Sequence, residues 1–302
     1  MTQYPRLICI VGPTASGKTK ASLKAAKALN GEIISFDSMQ IYKKMSVITQ
    51  SPTKKEQKNI KHYFIEEIEP EKEYSAAMFR RKAEKCIKNI VKNGKTPILV
   101  GGTGLYLKAL VNGLFEGPKK NDKLRQTLEK EETEKGPGTL YEKLKKIDQE
   151  SAKKIHPNDI KRIIRAIEIY ELTGKTKTEH EKNTRGINDK YKVIKLGIDL
   201  PRNELYERVN KRVDKMLRTG AIKEVKELIK KKLSITAKNA LGVKELESYI
   251  KGDITKEKAK DMLKQNTRHY AKRQMTWFRA DTDIKWFSSA EKLVEWVTEG
   301  KK

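Results

Sequence analysis

The chain has 302 residues, 36% of them apolar and 35% charged, with 67 Lys and Arg against 40 Asp and Glu. That length accommodates one large domain, or a core with a smaller partner, around a substantial apolar interior; the absence of low-complexity tracts and of solenoid-spaced repeats excludes a disordered or repeat architecture. A formal charge of +27 favours polyanionic partners such as nucleic acid. The excess is uneven, with 22 basic and 10 acidic residues between Pro201 and Ala280 against 18 and 14 between Gly113 and Ile187. Cys9 and Cys86 lack disulfide or metal-ligand spacing, and no leader or membrane-length apolar run occurs. A cytoplasmic protein with no membrane partner is therefore expected, and the lack of a heptad run favours a monomer.

Leu7 to Val11 is a short β-branched run of the kind buried on both faces of a parallel sheet. Gly12-Pro13-Thr14-Ala15-Ser16-Gly17-Lys18-Thr19 follows at once, and helix-forming sequence begins at Lys18. Ile33 to Phe36 predicts a second strand. Ser75 is placed to cap a helix that carries Phe79, Ala83, Cys86, Ile87 and Ile90 on one face and stops at Gly94. Pro97 to Val100 predicts a third strand. Beyond Gly113, Gly117-Pro118 and Gly136-Pro137-Gly138 punctuate lysine-rich helical segments without a strand until Val193 to Ile198. Pro201 then opens a helical stretch from Arg202 to about Lys232. The alternation predicts an α/β fold: a P-loop NTPase-like parallel sheet flanked by helices, with residues 1–112 and 190–302 forming a discontinuous core and 113–189 a helical insertion.

The segment from Gly12 to Thr19 has the P-loop pattern in its required context, directly after a strand and before a helix. Its backbone amides and helix N-terminus suit a diphosphate or triphosphate, Lys18 supplies countercharge, and Thr19 is placed to ligate Mg2+. A nucleotide hydrolase needs a second acidic strand end to hold metal and orient water. The third strand ends instead in Gly101-Gly102-Thr103-Gly104, and acid appears after the second strand, in Asp37-Ser38-Met39-Gln40. Asp37 is equally suited to capping a helix that follows it. This arrangement fits a small-molecule or nucleoside kinase, or a prenyl transferase, better than a motor or switch. A non-catalytic RNA-binding protein with a relic P-loop would have no use for Lys18, Thr19 and Asp37 together.

Five motifs in order resemble the tRNA dimethylallyltransferase (isopentenyl-tRNA transferase) family of bacterial type: Gly12 to Thr19; Asp37 to Tyr42; Val100 to Tyr106; His156-Pro157-Asn158-Asp159 with Arg162, Arg165 and Glu168; and Arg268 through Arg279. Arg208, Arg212, Asp214, Met216 and Gly220 resemble the family's helix bearing a diphosphate-binding arginine. No zinc-finger extension follows. The resemblance implies attack of an adenine N6 amine, in the anticodon stem-loop of tRNA, on the first carbon of dimethylallyl diphosphate. It assigns Asp37 as general base or hydrogen-bond acceptor for the amine, Thr103 to the reacting adenine, and Lys18 and Arg212 with Mg2+ to the leaving diphosphate. Gly12, Thr14, Ala15, Ser16, Gly17, Lys18 and Thr19 form the cradle. Ser38, Met39 and Gln40 join Asp37 and Thr103 around an extruded base. Arg125, Lys161, Arg162, Ile163, Ile164 and Arg165 of the insertion are assigned to the anticodon region, and Arg273 and Arg279 to RNA phosphates. Helical periodicity gives Ile163, Ile164 and Ile167 a second reading as a core face, and suits Tyr270, Trp277 and Phe278 to packing more than to base stacking.

Overall fold

The computed structural model describes residues 4–299. Six parallel strands form a single sheet: β1 (Arg6–Val11), β2 (Gly31–Ser35), β3 (His62–Tyr63), β4 (Thr96–Val100), β5 (Lys192–Ile198) and β6 (Ile284–Phe287), in the order β3-β2-β4-β1-β5-β6. The central strand, β1, pairs with β4 through Ile8↔Ile98 to Ile10↔Val100, and with β5 from Arg6↔Lys192 to Val11↔Gly197. This is the P-loop NTPase-like sheet that the strand and loop pattern predicted. β3 and β6 escape sequence patterning because both are short edge strands, half-exposed where β1 is buried.

The registers fix where chemistry can occur. All six strands run the same way, so the segments after β1, β2 and β4 emerge together at one sheet edge. Ile8, Ile10, Ile33, Ile98, Leu196 and Ile198 pack beneath that edge with Ala21, Ala25 and Ala26 of the Lys18–Ala28 helix. Small residues on the helix allow this close approach to the sheet. The Ala76–Lys92 helix starts on a Ser75 cap and buries Phe79, Ala83, Cys86, Ile87 and Ile90, the predicted face.

The helical stretch predicted from Arg202 to Lys232 is two helices. Arg202–Arg218 ends at Thr219, and Ala221–Leu228 restarts after Gly220 in a left-handed conformation. Periodicity runs on through this break because both helices bury apolar faces. The later Lys256–Arg279 helix is continuous over 24 residues. No helix among the described residues is long and apolar enough to cross a membrane.

The chain divides into two compact units, one of Met1–Val111 with Ile187–Lys302 and one of Asn112–Gly186. The second contains five helices and no strand among its described residues. Leu128, Leu140, Leu144, Ile155, Ile163, Ile164 and Ile167 make its core. Ile163 and Ile164, assigned to tRNA by resemblance, bury their side chains in this core, as the helical-face reading has it.

A fully buried carboxylate organises this unit. Glu168 receives Nε and Nη2 of Arg125 at 2.8 and 2.7 Å, the Asn121 amide at 2.8 Å, and Nη1 of Arg165. Arg165 also donates to the Pro118 carbonyl at 3.0 Å. Burial pushes the Glu168 carboxyl up, but these donors outweigh it and hold the group at about 2. Because the folded value lies below the usual 4.5, the stability it contributes is complete above that pH and lost as pH falls towards 2. Glu168→Ala leaves two arginines facing an emptied site and is expected to destabilise the unit by roughly 3 kcal/mol. Urea unfolding of the full chain at pH 7 and pH 3 checks this: the gap between wild type and variant should narrow at pH 3.

Candidate active site

β1 delivers the P-loop to the sheet edge, and Gly17, which caps the Lys18–Ala28 helix, has no side chain to occupy its first amides. Those donors and the helix dipole are left for an anion. Thr14, Ala15, Gly17, Lys18 and Thr19 line a cavity of about 740 Å³. Ser16 does not: its hydroxyl is buried without a partner among the described residues, and its amide donates back to Pro13 O at 3.3 Å. Gly12 is likewise buried behind the loop. Their part is in the loop's shape.

Asp37, Ser38, Met39 and Gln40 line the same cavity from the turn after β2. Asp37 Oδ1 accepts the Met39 and Gln40 amides at 2.9 and 3.4 Å. Its capping role is thus real, though it caps a turn and not a helix. Both of these bonds go to Oδ1, and Oδ2 has no hydrogen bond among the described residues. Thr103, after β4, accepts the Ser38 amide at 3.0 Å and donates to Ser38 Oγ at 3.2 Å, joining the turns after β2 and β4.

Arg212 enters from the Arg202–Arg218 helix and donates to Thr49 O at 3.1 Å. Thr49 ends the short Ser46–Thr49 helix, whose Val47 and Ile48 amides are held by Glu224 at 2.9 and 2.8 Å. Asp214, two residues along, fastens the Arg212 helix to Lys260 and Lys264 at 3.2 and 2.9 Å. Glu224 and Thr49 carry no sequence motif, because their role is to hold backbone.

Burial lowers both cations of the cavity. Burial pushes Lys18 down to about 7, with Asp37 pulling it back up and Arg212 adding to the fall. Burial also lowers Arg212, to about 10, against the attraction of Asp37 and Tyr270. Lys18 Nζ meanwhile donates to Pro13 O at 2.5 Å. The cavity holds desolvated positive charge in advance of its ligand.

The Lys256–Arg279 helix closes the site. Gln274, 5% exposed, accepts the Thr14 amide at 2.8 Å and donates to Gly102 O at 3.0 Å, bridging the P-loop to the turn after β4. The Thr14 amide is therefore committed to Gln274. Glycine is required below this helix: a Cβ on Gly102 would stand 1.9 Å from Gln274 Nε2, and one on Gly104 2.1 Å from the Trp277 ring. Tyr270, one turn before Gln274, and Arg273, next to it, also line the cavity, with Arg273 over the Tyr270 ring at 5.8 Å. Burial pushes the Tyr270 phenol up, and the neighbouring Asp37 adds to it.

Of the aromatics predicted to pack, Phe278 is buried, Tyr270 lines the cavity, and Trp277 is exposed at it. Arg279 lies outside the lining and pairs with Asp199 at 2.8 Å. In the insertion, Lys161 and Arg162 are exposed on the first turn of the Ile160–Thr173 helix, where Asp159 caps the Arg162 amide at 3.2 Å. Arg125 and Arg165 are anchored on Glu168.

The fold and cavity together define a P-loop protein that sets a polyphosphate cradle, two cations, a carboxylate and a hydroxyl around one space, a group-transfer arrangement. The IPP transferase family model matches residues 40–281. The chain is 51% identical to a tRNA dimethylallyltransferase of Halothermothrix orenii, covering 93% of this chain and 87% of the relative, and 46% identical to that of Acetivibrio thermocellus, covering 96% and 95%. Among solved structures it matches the tRNA isopentenylpyrophosphate transferase of Bacillus halodurans at 39% identity and a TM-score of 0.72, covering 97% of this chain and 95% of that one. It also matches a eukaryotic dimethylallyltransferase acting on tRNA at 31% identity and a TM-score of 0.79, covering 98% and 77%. The chain belongs to the IPP transferase family.

If Lys18 is half-discharged near pH 7 and recharged by an anion, binding of a prenyl diphosphate at pH 8 should take up close to one proton. Calorimetry in buffers of different ionisation enthalpy measures this. Lys18→Ala should remove the uptake along with most of the affinity.

Proposed function

We propose that this chain transfers a dimethylallyl group from dimethylallyl diphosphate to N6 of the adenine immediately 3′ of the anticodon in tRNA, releasing diphosphate. The observation that carries this reading is the convergence of Lys18, Arg212, Asp37 and Thr103 on one cavity. The relatives named above are tRNA dimethylallyltransferases, which supports it. A kinase reading is not favoured, since β4 ends at Val100, is followed by Gly101, and supplies no carboxylate at that strand end.

In the reaction the adenine amine attacks the first carbon of the prenyl chain. A carbon–nitrogen bond forms as the carbon–oxygen bond breaks, and diphosphate departs with the electron pair. An exocyclic amine is a weak nucleophile, so Asp37 accepts its hydrogen bond through the oxygen left free by the turn and takes the proton. Thr103, fixed by Ser38, orients the base. Lys18, Arg212 and the first-turn amides stabilise charge that grows on the leaving oxygens.

Mg2+ fits the donors present: the Thr19 hydroxyl lines the cavity, and no cluster of three or more His, Cys, Asp or Glu suited to a metal occurs among the described residues. That is the donor set of an ion bound chiefly by phosphate oxygens and water. When bound, Mg2+ would neutralise charge on the diphosphate. Lys161 and Arg162, exposed on the insertion, and Arg273 at the cavity are the cations we assign to the tRNA. Arg125, Arg165 and Arg279 are held by Glu168 and Asp199, and Arg162 itself pairs with Asp159 at 3.3 Å while staying exposed. The protein is taken to act as a cytoplasmic monomer.

Purified protein with Mg2+, tRNA and dimethylallyl diphosphate should yield one prenylated adenine per tRNA without ATP. Asp37→Asn retains a capping oxygen but is a poor base, so turnover should fall by about 10² to 10⁴ with tRNA affinity nearly intact. Strict ATP dependence would defeat the assignment, and near-normal turnover in the variant would leave Asp37 as a turn cap alone.

A further inference from the structure

Of the seven large hydrophobic residues exposed among the described part of the chain, only Leu105 and Trp277 also line the cavity. Trp277 is 40% exposed and Leu105 46%. The buried face of the Lys256–Arg279 helix is supplied by Leu263, Thr267, Ala271, Met275 and Phe278, so Trp277 is not needed to fill it. The pyrrole side of its ring lies over Gly104, at a distance that any side chain there would forbid. An indole left in water costs solvation free energy unless something covers it.

Gly104 follows Thr103, so the ring stands one residue from the hydroxyl that faces the reacting base. Arg273 stands one helical turn before it, a cation for a phosphate beside an aromatic for a base. When one base of a loop is extruded into a cavity, its sequence neighbour is held by the backbone at the cavity mouth and loses a stacking partner. We propose that Trp277, with Leu105 at the same rim, is a stacking platform for the nucleobase next to the extruded adenine. This rests on the adenine and prenyl diphosphate reading of the cavity. The ring replaces the stack lost on extrusion, and a π-face accepts any base, so the platform adds affinity without adding sequence preference.

The test uses an anticodon stem-loop RNA, intact or with a single base removed on either side of the target adenine or at the adenine itself. Trp277→Ala should weaken binding of intact RNA about tenfold or more, and Trp277→Phe should restore most of it. Removing the platform's base should weaken binding to the wild type by a similar factor and leave Trp277→Ala unaffected. Tryptophan fluorescence should be quenched on RNA binding in the wild type and not in Trp277→Phe. The KM for dimethylallyl diphosphate should not change in the Phe variant. Equal loss from base removal in wild type and Trp277→Ala would overturn the proposal. So would sensitivity confined to loss of the adenine itself, or a raised donor KM with unchanged RNA affinity, which would make the ring a wall of the prenyl site. RNA that binds and is prenylated without quenching removes the platform alone, whereas RNA that neither binds nor is prenylated removes the functional reading and the platform with it.

Discussion

One buried carboxamide holds the site's two glycine-rich turns in register. β1 and β4 are adjacent strands, so the P-loop and the Gly101–Gly104 turn emerge side by side, but adjacency alone leaves their backbones free to shift. Gln274 fixes both, taking a hydrogen from Thr14 and giving one to Gly102. A buried amide satisfied at both ends adds modest net stability, while breaking either end strands polar groups out of water. The glycines at 102 and 104 permit this, because the helix carrying Gln274 and Trp277 could not otherwise lie so close. Cradle, Thr103 and the aromatic rim are thus one mechanical unit.

Charge is arranged on the same principle of holding cost in advance. Lys18 and Arg212 sit in a cavity that lowers both, with Asp37 as the nearby countercharge. A ligand bearing several negative charges relieves that repulsion, most strongly when its charge is greatest, as the diphosphate leaves. Backbone supports keep the cations in place: Thr49 O for Arg212, and Glu224 for the short helix that presents Thr49. Burial pushes the Glu224 carboxyl up and the two amides pull it down, the balance of a group enclosed to do structural work.

Much of this was legible in the sequence. Runs such as Leu7 to Val11 and Pro97 to Val100 have one physical use, a strand buried on both faces, and a P-loop after such a strand is read from the text. Edge strands were not, since His62–Tyr63 and Ile284–Phe287 are too short and too exposed to carry a pattern. Ile163 and Ile164 fell between two readings because a motif and a helical face overlapped there, and burial decided for the face. Trp277 divides between packing and exposure: its indole lies against Gly104, yet 40% of it stays exposed at the cavity where Phe278 is buried. Gln274 left one faint signal, a polar side chain recurring with Leu263, Thr267 and Ala271 on the face that should be apolar. Glu224 left none, because its partners are backbone amides far away in sequence.

The Gln274 bridge ties the geometry of the diphosphate cradle to the turn after β4. The most direct measurement is the steady-state kcat/KM for dimethylallyl diphosphate in Gln274→Leu, which has similar bulk and no polar atoms, beside the dissociation constant for tRNA in the same folded protein. The bridge predicts a fall in kcat/KM of about tenfold or more, the scale of a buried polar group left unpaired, with tRNA binding within about twofold of wild type. Wild-type kcat/KM in that variant would contradict it, and would mean that strand adjacency alone keeps the two turns in place.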